Sequence, residues 1–476
     1  MTLAKARPRM ASIAWPMLAE LLLGFAVGLM GLWLAAGISD TTAAAFALSN
    51  QVQVAFFLLF RIVSMGVSVV VTQNLGAGNR SGADETARAS LGASTWLGLA
   101  VALLVFSSAG RLLRWVNAPP EVLTLAQPYL QTLALALLLD AYNASMASVM
   151  RAHLRTRDVM LNILSMHGLH LLLCFPLMRG FGPVPALGLV GFALALGLSR
   201  AFGLGLHLWL WRWRLDLVPR ARDWWVVHWK RLGPVLHIGL PGAAENVAYR
   251  VAMLVSVSVV AGMGAQALAT QSYAFQCMHI VVLFSLSIGL ASEVLIGHLV
   301  GAAHLRQAHR LLRNSLMLGL LGSLLVSLLV AGTAQWTLHL FTNDPQIIAS
   351  ASTLLWITVL LEPGRTCNVI IINALRAAGD ARFPVLAGAA SMLFVMAGGS
   401  WLLGVHFQLG LAGVWIAYAA DEWLRGLMMA ARWFGHGWLP AAKAAHRRVQ
   451  KHRVSTMGKL SNSGGIIPAT DASESI

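Results

Sequence analysis

Polar positions are scarce along this chain, and long apolar stretches lie between them. Twelve apolar runs can be followed, at about 13–38, 43–74, 90–110, 122–150, 158–178, 186–211, 234–261, 266–300, 312–336, 346–375, 383–404 and 410–434. Each is long enough to cross roughly 30 Å of hydrocarbon as an α-helix. The second and eighth exceed that need, which predicts tilt or extension beyond the bilayer. The pattern predicts an all-α polytopic membrane protein of twelve transmembrane helices.

Composition agrees. The 476 residues are 58% hydrophobic and 11% charged, where a soluble protein carries roughly 25% charged residues. Lys5, Arg7 and Arg9 precede an apolar run too long for a leader's core, and no A-x-A-like cleavage site follows, so the first helix is expected to stay in the membrane. Cys174, Cys277 and Cys367 all lie in apolar runs and form no disulfide framework or CxxC pattern. They read as small packing residues.

The net charge of +16 changes meaning once it is placed. With the N-terminus in the cytoplasm, the inner connections hold Arg80 and Arg88; Arg151, Arg155 and Arg157; the cluster Arg212 to Arg231; Arg306, Arg310 and Arg313; and Arg376 and Arg382. The outer connections hold only Arg111, Arg114 and Arg179. This asymmetry predicts an inner-membrane protein with both termini cytoplasmic. The positive charge is then a topology and lipid signal, and no nucleic acid is expected as a partner. The expected organisation is a cytoplasmic N-terminus (1–12), one lobe of six helices (13–211), a cytoplasmic connection (212–233), a second lobe of six (234–435) and a cytoplasmic tail (436–476). The connection, rich in Trp, Arg and Lys, reads as an interfacial amphipathic helix. The stretch from Ser461 to Ile476 reads as disordered.

The few polar residues repeat. Pro16 and Glu20 return as Pro241 and Glu245, both displaced by 225 positions. The same displacement carries Gly37 onto Gly262, Gln51 onto Gln276, Gly76–Ala77 onto Gly301–Ala302, Pro120 onto Pro345, Asn143 onto Asn368 and Arg151–Ala152 onto Arg376–Ala377. Leu187–Gly188–Leu189 matches Leu409–Gly410–Leu411 after a three-residue deletion. Inner connections map onto inner connections. The halves therefore share one orientation, the parallel-repeat plan of several secondary transporters.

A carboxylate inside a membrane helix costs about 2.5–3.5 kcal/mol or more, so such residues usually face a cavity. Those well inside apolar runs are Glu20, Asp140, Glu245, Glu293 and Glu362, with Asp421 and Glu422 in the last helix. The chemistry favours Glu20, Asp140, Glu245 and Glu362 as the ion-coupling and substrate-binding set. The competing reading pairs each with an intramembrane arginine: Arg61, Arg200, Arg250, Arg365 or Arg425. Asn50, Gln51, Asn143, Tyr249, Tyr273, Gln276 and Asn368 are candidate cavity-lining residues, along with Tyr142, through hydrogen bonds and cation–π contacts. The helix-five histidines His167 and His170 are titratable but more naturally packed. Gly76–Ala77–Gly78–Asn79 lacks the lysine of a phosphate loop and reads as a helix stop. Neither HExxH nor GxSxG is present, and no enzyme activity, cofactor or metal cluster is expected.

Pro16-x3-Glu20, the segment Val71 to Asn79, and Leu375–Arg376–Ala377–Ala378–Gly379–Asp380 with its weaker twin Met150–Arg151–Ala152–His153 resemble the multidrug and toxic compound extrusion (MATE) family over about residues 12–435. The resemblance implies two six-helix bundles facing each other in a V. It implies export of organic cations by a monomer, driven by inward H⁺ or Na⁺. Two departures stand out. Cation-coupled members commonly carry an Asp eleven residues before the helix-ten arginine, where this chain has Arg365; the N-lobe twin of that position is Asp140. Many proton-coupled members carry an Asp midway along helix one, and the Met30–Gly31 neighbourhood has none. A fixed positive charge repels a metal cation, so H⁺ is favoured over Na⁺ and the N-lobe over the C-lobe. The rival is a lipid-linked oligosaccharide flippase of similar plan, whose cavity arginines would meet a phosphate.

Overall fold

The computed structural model describes residues 10–183 and 185–462. The first lobe holds α1 (Met10–Ala36), α2 (Asp40–Gly76), α3 (Arg80–Trp115), α4 (Pro120–Ala152), α5 (Thr156–Arg179) and α6 (Gly188–Leu215). The second holds α7 (Trp229–Ala261), α8 (Ala265–Gly301), α9 (Leu305–Gly332), α10 (Pro345–Ala377), α11 (Arg382–His406) and α12 (Gly410–Phe434). A further helix, α13 (Leu439–Asn462), follows the twelfth. Two stretches of α11, Met392–Ala397 and Leu402–His406, are wound as π-helix.

Eleven of the first twelve helices are long and apolar enough to cross a membrane. The other, α12, is 25 residues long, but Asp421, Glu422 and Arg425 sit within one turn of its middle and lower its hydropathy. Those charges answer one another: Arg425 meets Asp421 at 2.6 Å and Glu422 at 2.9 Å, all buried. Pairing inside the lobe is what lets so polar a helix lie among apolar ones.

Local chemistry sets the helix ends. Ser39 caps α2 by accepting from the Thr42 amide at 3.0 Å, and Asn79 caps α3 through the Gly82 amide at 3.2 Å. Pro120 and Pro345, equivalent in the repeat, each open a helix at a position where no amide donor is needed. The connections repeat as well. Left-handed backbone occurs at Gly78 (φ 69°) and at its equivalent Ala303 (φ 60°), and at Leu154 (φ 62°) and its equivalent Gly379 (φ 89°). The turn geometry is thus common to both copies even where one has lost its glycine.

Packing follows the duplication. In the first lobe α4 lies against α2, α3 and α6; in the second α10 lies against α8, α9 and α12. The lobes meet through α2 on α7 and α8, and through α1 on α8. Their backbones approach closely at two places, where Ile62 and Gly66 of α2 meet Gly239 and Val235 of α7, and toward the C-terminal ends of α2 and α8. A Cβ on Gly76 would stand 2.0 Å from the His298 carbonyl oxygen, and one on Gly301 would stand 2.1 Å from that of Gln73. Only glycine lets two backbones come this near. Around this point Gln73 Nε2 donates to the Ala377 carbonyl at 2.8 Å, and His298 Nε2 lies 2.8 Å from the Ala152 carbonyl. The two contacts are equivalents under the repeat. α13 packs over the same end, with His446 Nδ1 2.8 Å from the Gly301 carbonyl. The V is closed here.

The connection between lobes departs from expectation. α6 runs on to Leu215 and α7 begins at Trp229, leaving one short helical turn, Ala221–Trp224, in place of a surface helix. The connection touches the first lobe through the Trp224 ring and the Trp225 backbone. Trp224 meets Tyr142 edge-on at 5.0 Å, and Trp96 Nε1 donates to the Trp225 carbonyl at 2.8 Å. The expected disorder from Ser461 onward lies almost wholly outside the described residues, as do Lys5, Arg7 and Arg9.

The founding glutamates of the repeat are held in ion pairs. Glu20 on α1 pairs with Arg151 at the end of α4, and Glu245 on α7 pairs with Arg376 at the end of α10 at 2.5 Å. Both bridges span 131 residues. Removing one partner leaves a buried charge alone, so Arg376→Ala is expected to destabilise the protein by about 3–5 kcal/mol. The double change Glu245→Gln with Arg376→Gln is expected to recover most of that loss. Thermal unfolding of the purified variants in detergent checks both.

Candidate functional site

A cavity of about 410 Å³ opens inside the first lobe. α1, α2, α4, α5 and α6 wall it, and α8 of the second lobe closes its side. Glu20 and Arg151, Asp140 and Arg200, Arg61, and Glu293 are its charged lining. Met17, Leu21, Phe57, Met65 and Leu290 supply apolar wall.

Asp140 lies midway along α4 and is 6% exposed. Arg200 on α6 holds it at 2.7 Å. The neighbouring Asn143, one turn on, donates to the Arg200 carbonyl at 3.0 Å and lies 3.0 Å from His207 Nδ1. Asp140, Asn143, Arg200 and His207 therefore form one connected polar wall across α4 and α6.

The second lobe carries the mirror charge. Asp140 corresponds to Arg365 and, past the three-residue deletion, Arg200 corresponds to Glu422. Arg365 Nε meets Glu422 at 3.1 Å. The same ion pair thus exists in both lobes with its polarity reversed. In the second lobe it is further braced: Glu362 meets Arg365 at 2.7 Å, and Asn368 Nδ2 donates to Glu422 at 3.0 Å. Packing is tight there. Only about 10 Å³ of space remains beside Tyr249, Arg365, Tyr418 and Glu422. An acid as buried as Glu362, at 0% exposure, is a structural member of this cluster.

Of the ion-coupling candidates, Glu20 and Asp140 line the cavity, whereas Glu245 and Glu362 do not. Of the polar candidates, Asn143 lines it. Asn368 and Tyr249 belong to the packed second-lobe cluster. Tyr273 stacks on Phe341 at 5.5 Å. Asn50, Gln51 and Gln276 are exposed along α2 and α8. His167 lines the cavity, while His170 is buried against the edge of Phe192 at 4.7 Å. Tyr142 shares a 2.7 Å hydrogen bond with Thr95. The reading of the residues passed over Glu293, which lines the cavity from the opposite lobe. Ser68 Oγ donates to it at 2.9 Å across 225 residues, the displacement of the repeat itself. That equivalence was the available signal, since residues facing each other across the axis relating two copies carry equivalent numbers.

The MatE family model matches residues 16–175 and 241–401, one match in each lobe. The uncharacterized transporter YisQ of Bacillus subtilis is 32% identical over 433 residues, covering 91% of this chain and 95% of that protein. The probable multidrug resistance protein NorM of Thermotoga maritima is 23% identical over 451 residues, covering 94% and 96%. Among solved structures, a MOP superfamily transporter from Pyrococcus furiosus, described as having a binding pocket of reverse polarity, superposes with a TM-score of 0.80 at 20% identity, covering 91% of this chain and 96% of its own. A MATE structure in the bent conformation gives 0.80 at 20% identity, covering 92% and 96%.

Proposed function

The chain belongs to the MatE family of membrane transporters, and from that premise we propose that it is a secondary antiporter exporting amphipathic organic cations against an inward flow of protons. The observation that carries this reading is the buried Asp140 in an open cavity, matched in the other lobe by a base in a packed one. Antiport needs one group that two ligands compete for. Asp140 is such a group. A proton on its carboxylate weakens its hold on Arg200, and a passenger's ammonium competes for the same oxygens. Glu20, paired with Arg151 in the same wall, gives the cavity a second acid. Glu245 and Glu362 act in this scheme as ion-pair partners that hold the second lobe rigid.

The guanidinium 2.7 Å from Asp140 also bears on the coupling ion. A sodium ion would have to gather several oxygen ligands beside a fixed positive charge, whereas a proton needs only one carboxylate oxygen. Resemblance to multidrug resistance proteins such as NorM supports the substrate class. The inner excess of Arg and Lys supports cytoplasmic termini in the inner membrane, which makes the closed end of the V the cytoplasmic one. The flippase reading calls for arginines free to meet a phosphate; Arg151, Arg200, Arg365 and Arg425 are each held by carboxylates, and Arg61 is the one cavity arginine without an ion pair among the described residues, set against the acids Glu20, Asp140 and Glu293 of the same lining.

Efflux of a fluorescent organic cation from energised vesicles tests the proposal. An imposed proton gradient is expected to drive export, and a sodium gradient at equal pH is expected to leave it unchanged. Transport driven by sodium alone overturns the coupling assignment; no movement of any cation under either gradient overturns the exporter.

A further inference from the structure

Only one face of α13 is packed. Trp438, just before the helix, and Ala442, Ala445 and Val449 within it are buried. They follow one another at helical spacing and lay α13 across α8, α2 and α3 at the closed end of the V. Trp438 stacks on Trp433 at 4.1 Å, which ties the start of α13 to the end of α12.

The opposite face is basic. From Leu439 to Asn462 the helix contains no Asp or Glu. Lys443, Arg447 and Lys451 recur at every fourth residue and form a row about 12 Å long. Pro440, Ala444 and Arg448 form the neighbouring row. The short side chain of Ala444 leaves an open groove of about 530 Å³ among the cations. Like charges four residues apart destabilise a helix unless an anion answers them. Arg432 on the preceding helix has such an answer, in Asp380 at 2.9 Å. The four cations of the groove form no ion pair with a described residue.

The second lobe adds charge to the same place. The turn after α10 touches α13: a Cβ on Gly379 would stand 3.7 Å from the Ala441 carbonyl oxygen and from the Ala445 Cβ. Three residues on, α11 begins with the exposed Arg382. Arg382 and Arg448 both act electrostatically on the exposed imidazole of His237 on α7. What lies next to these residues identifies the partner. One turn along α11 from Arg382, Leu386 is 74% exposed, and one turn along α7 from His237, Leu240 is 53% exposed. Leucines so exposed on spanning helices face hydrocarbon. The cations therefore stand where headgroups meet acyl chains. A phosphate there accepts charge-assisted hydrogen bonds from guanidinium and ammonium groups. A basic cluster on an amphipathic helix beside a spanning segment draws anionic lipid.

We propose that Lys443, Arg447, Arg448 and Lys451 of α13, with Arg382 of α11, bind the headgroup of an anionic phospholipid in the leaflet on the side of α13. The phosphate takes the groove, and the acyl chains run past Leu386 and Leu240. The site lies outside the first-lobe cavity and involves neither passenger nor coupling ion, so it stands or falls apart from the export reading.

The test compares phosphatidylglycerol with phosphatidylcholine of the same chains. Each is titrated into the purified full-length protein in neutral detergent, and retained lipid is read by native mass spectrometry. The wild type is expected to hold phosphatidylglycerol about tenfold more tightly. Arg448→Gln is expected to weaken phosphatidylglycerol about fivefold, the worth of one cation at a lipid surface. Its binding of phosphatidylcholine is expected to be unchanged, which also reports that the variant is folded. Changing Lys443, Arg447, Arg448 and Lys451 together to Gln is expected to abolish the preference. Arg155→Gln with Arg157→Gln, at the start of α5, is expected to keep it. Equal affinity of the wild type for both lipids overturns the site, as does an equal loss in the Arg155 and Arg157 variant. Displacement of phosphatidylglycerol by equimolar glycerol 3-phosphate or by a single-stranded oligonucleotide overturns the lipid as occupant.

Discussion

Asp140→Asn is expected to lower gradient-driven export by about a hundredfold, the factor set by about 2.7 kcal/mol. The amide can still accept a hydrogen bond from Arg200 and fill the same volume, so the lobe keeps its packing. What it loses is the ability to exchange a proton for a passenger. Because Arg200 is left without a counter-charge, some stability is lost as well, and Asp140→Asn with Arg200→Gln separates the two effects. The double variant is expected to regain stability and remain inactive. The reversed pair in the second lobe supplies the contrast: Glu422→Gln leaves Arg365 and Arg425 with one acid fewer in a packed site. It is expected to reduce folded yield, while the protein that does fold exports normally. Initial rates in proteoliposomes, normalised to folded protein, check all three. Equal activity losses at Asp140 and Glu422 would mean that the polarity of the pair does not locate the coupling site.

Gly301→Leu is expected to abolish transport by a different route, leaving the binding residues untouched. The two lobes close where Gly76 and Gly301 admit the opposing backbone, and the first atom of any side chain at Gly301 would stand 2.1 Å from the Gln73 carbonyl oxygen. A leucine cannot be accommodated there by a rotamer change, because its neighbour is backbone. The closed arrangement becomes inaccessible, and the lobes are held apart at that end. With Cys174, Cys277 and Cys367 replaced by alanine, a single cysteine at the cavity residue Ser148 serves as reporter. In the wild-type background it is expected to react with a membrane-impermeant reagent supplied from the open side of the V. In Gly301→Leu it is expected to react from the side of α13. Normal transport by Gly301→Leu would show that this closure is no part of the cycle.

Much of the architecture was legible before any coordinates. The register that carries Pro16 to Pro241 and Arg151 to Arg376 survives in the fold down to the left-handed turns at residues 78 and 303. The departure at Arg365 was also visible as a lone oddity in the pattern. Its meaning was not, because the compensating change from Arg200 to Glu422 lies beyond the three-residue deletion and only the contact shows that the two substitutions belong together. The paired state of Glu20 and Glu245 was hidden for the same reason: each partner lies 131 residues away, at the far end of another helix. Tryptophan content in the connection between lobes pointed to a membrane-surface helix; the chain there makes one short turn instead, with the Trp224 ring against Tyr142 of α4 and the Trp225 carbonyl held by Trp96 of α3.

Hydrocarbon tolerates few polar groups and demands helices of a set length, so chain order alone determined the number of spans, their pairing into two like halves and the small set of charges worth considering. The fold decided which of those charges are free. Whether a membrane carboxylate meets a guanidinium or open space depends on the angular setting of helices brought together from distant parts of the chain. Among the described residues, that setting left Glu293 and Arg61 in one cavity without a direct ion pair while it closed the other intramembrane acids into pairs.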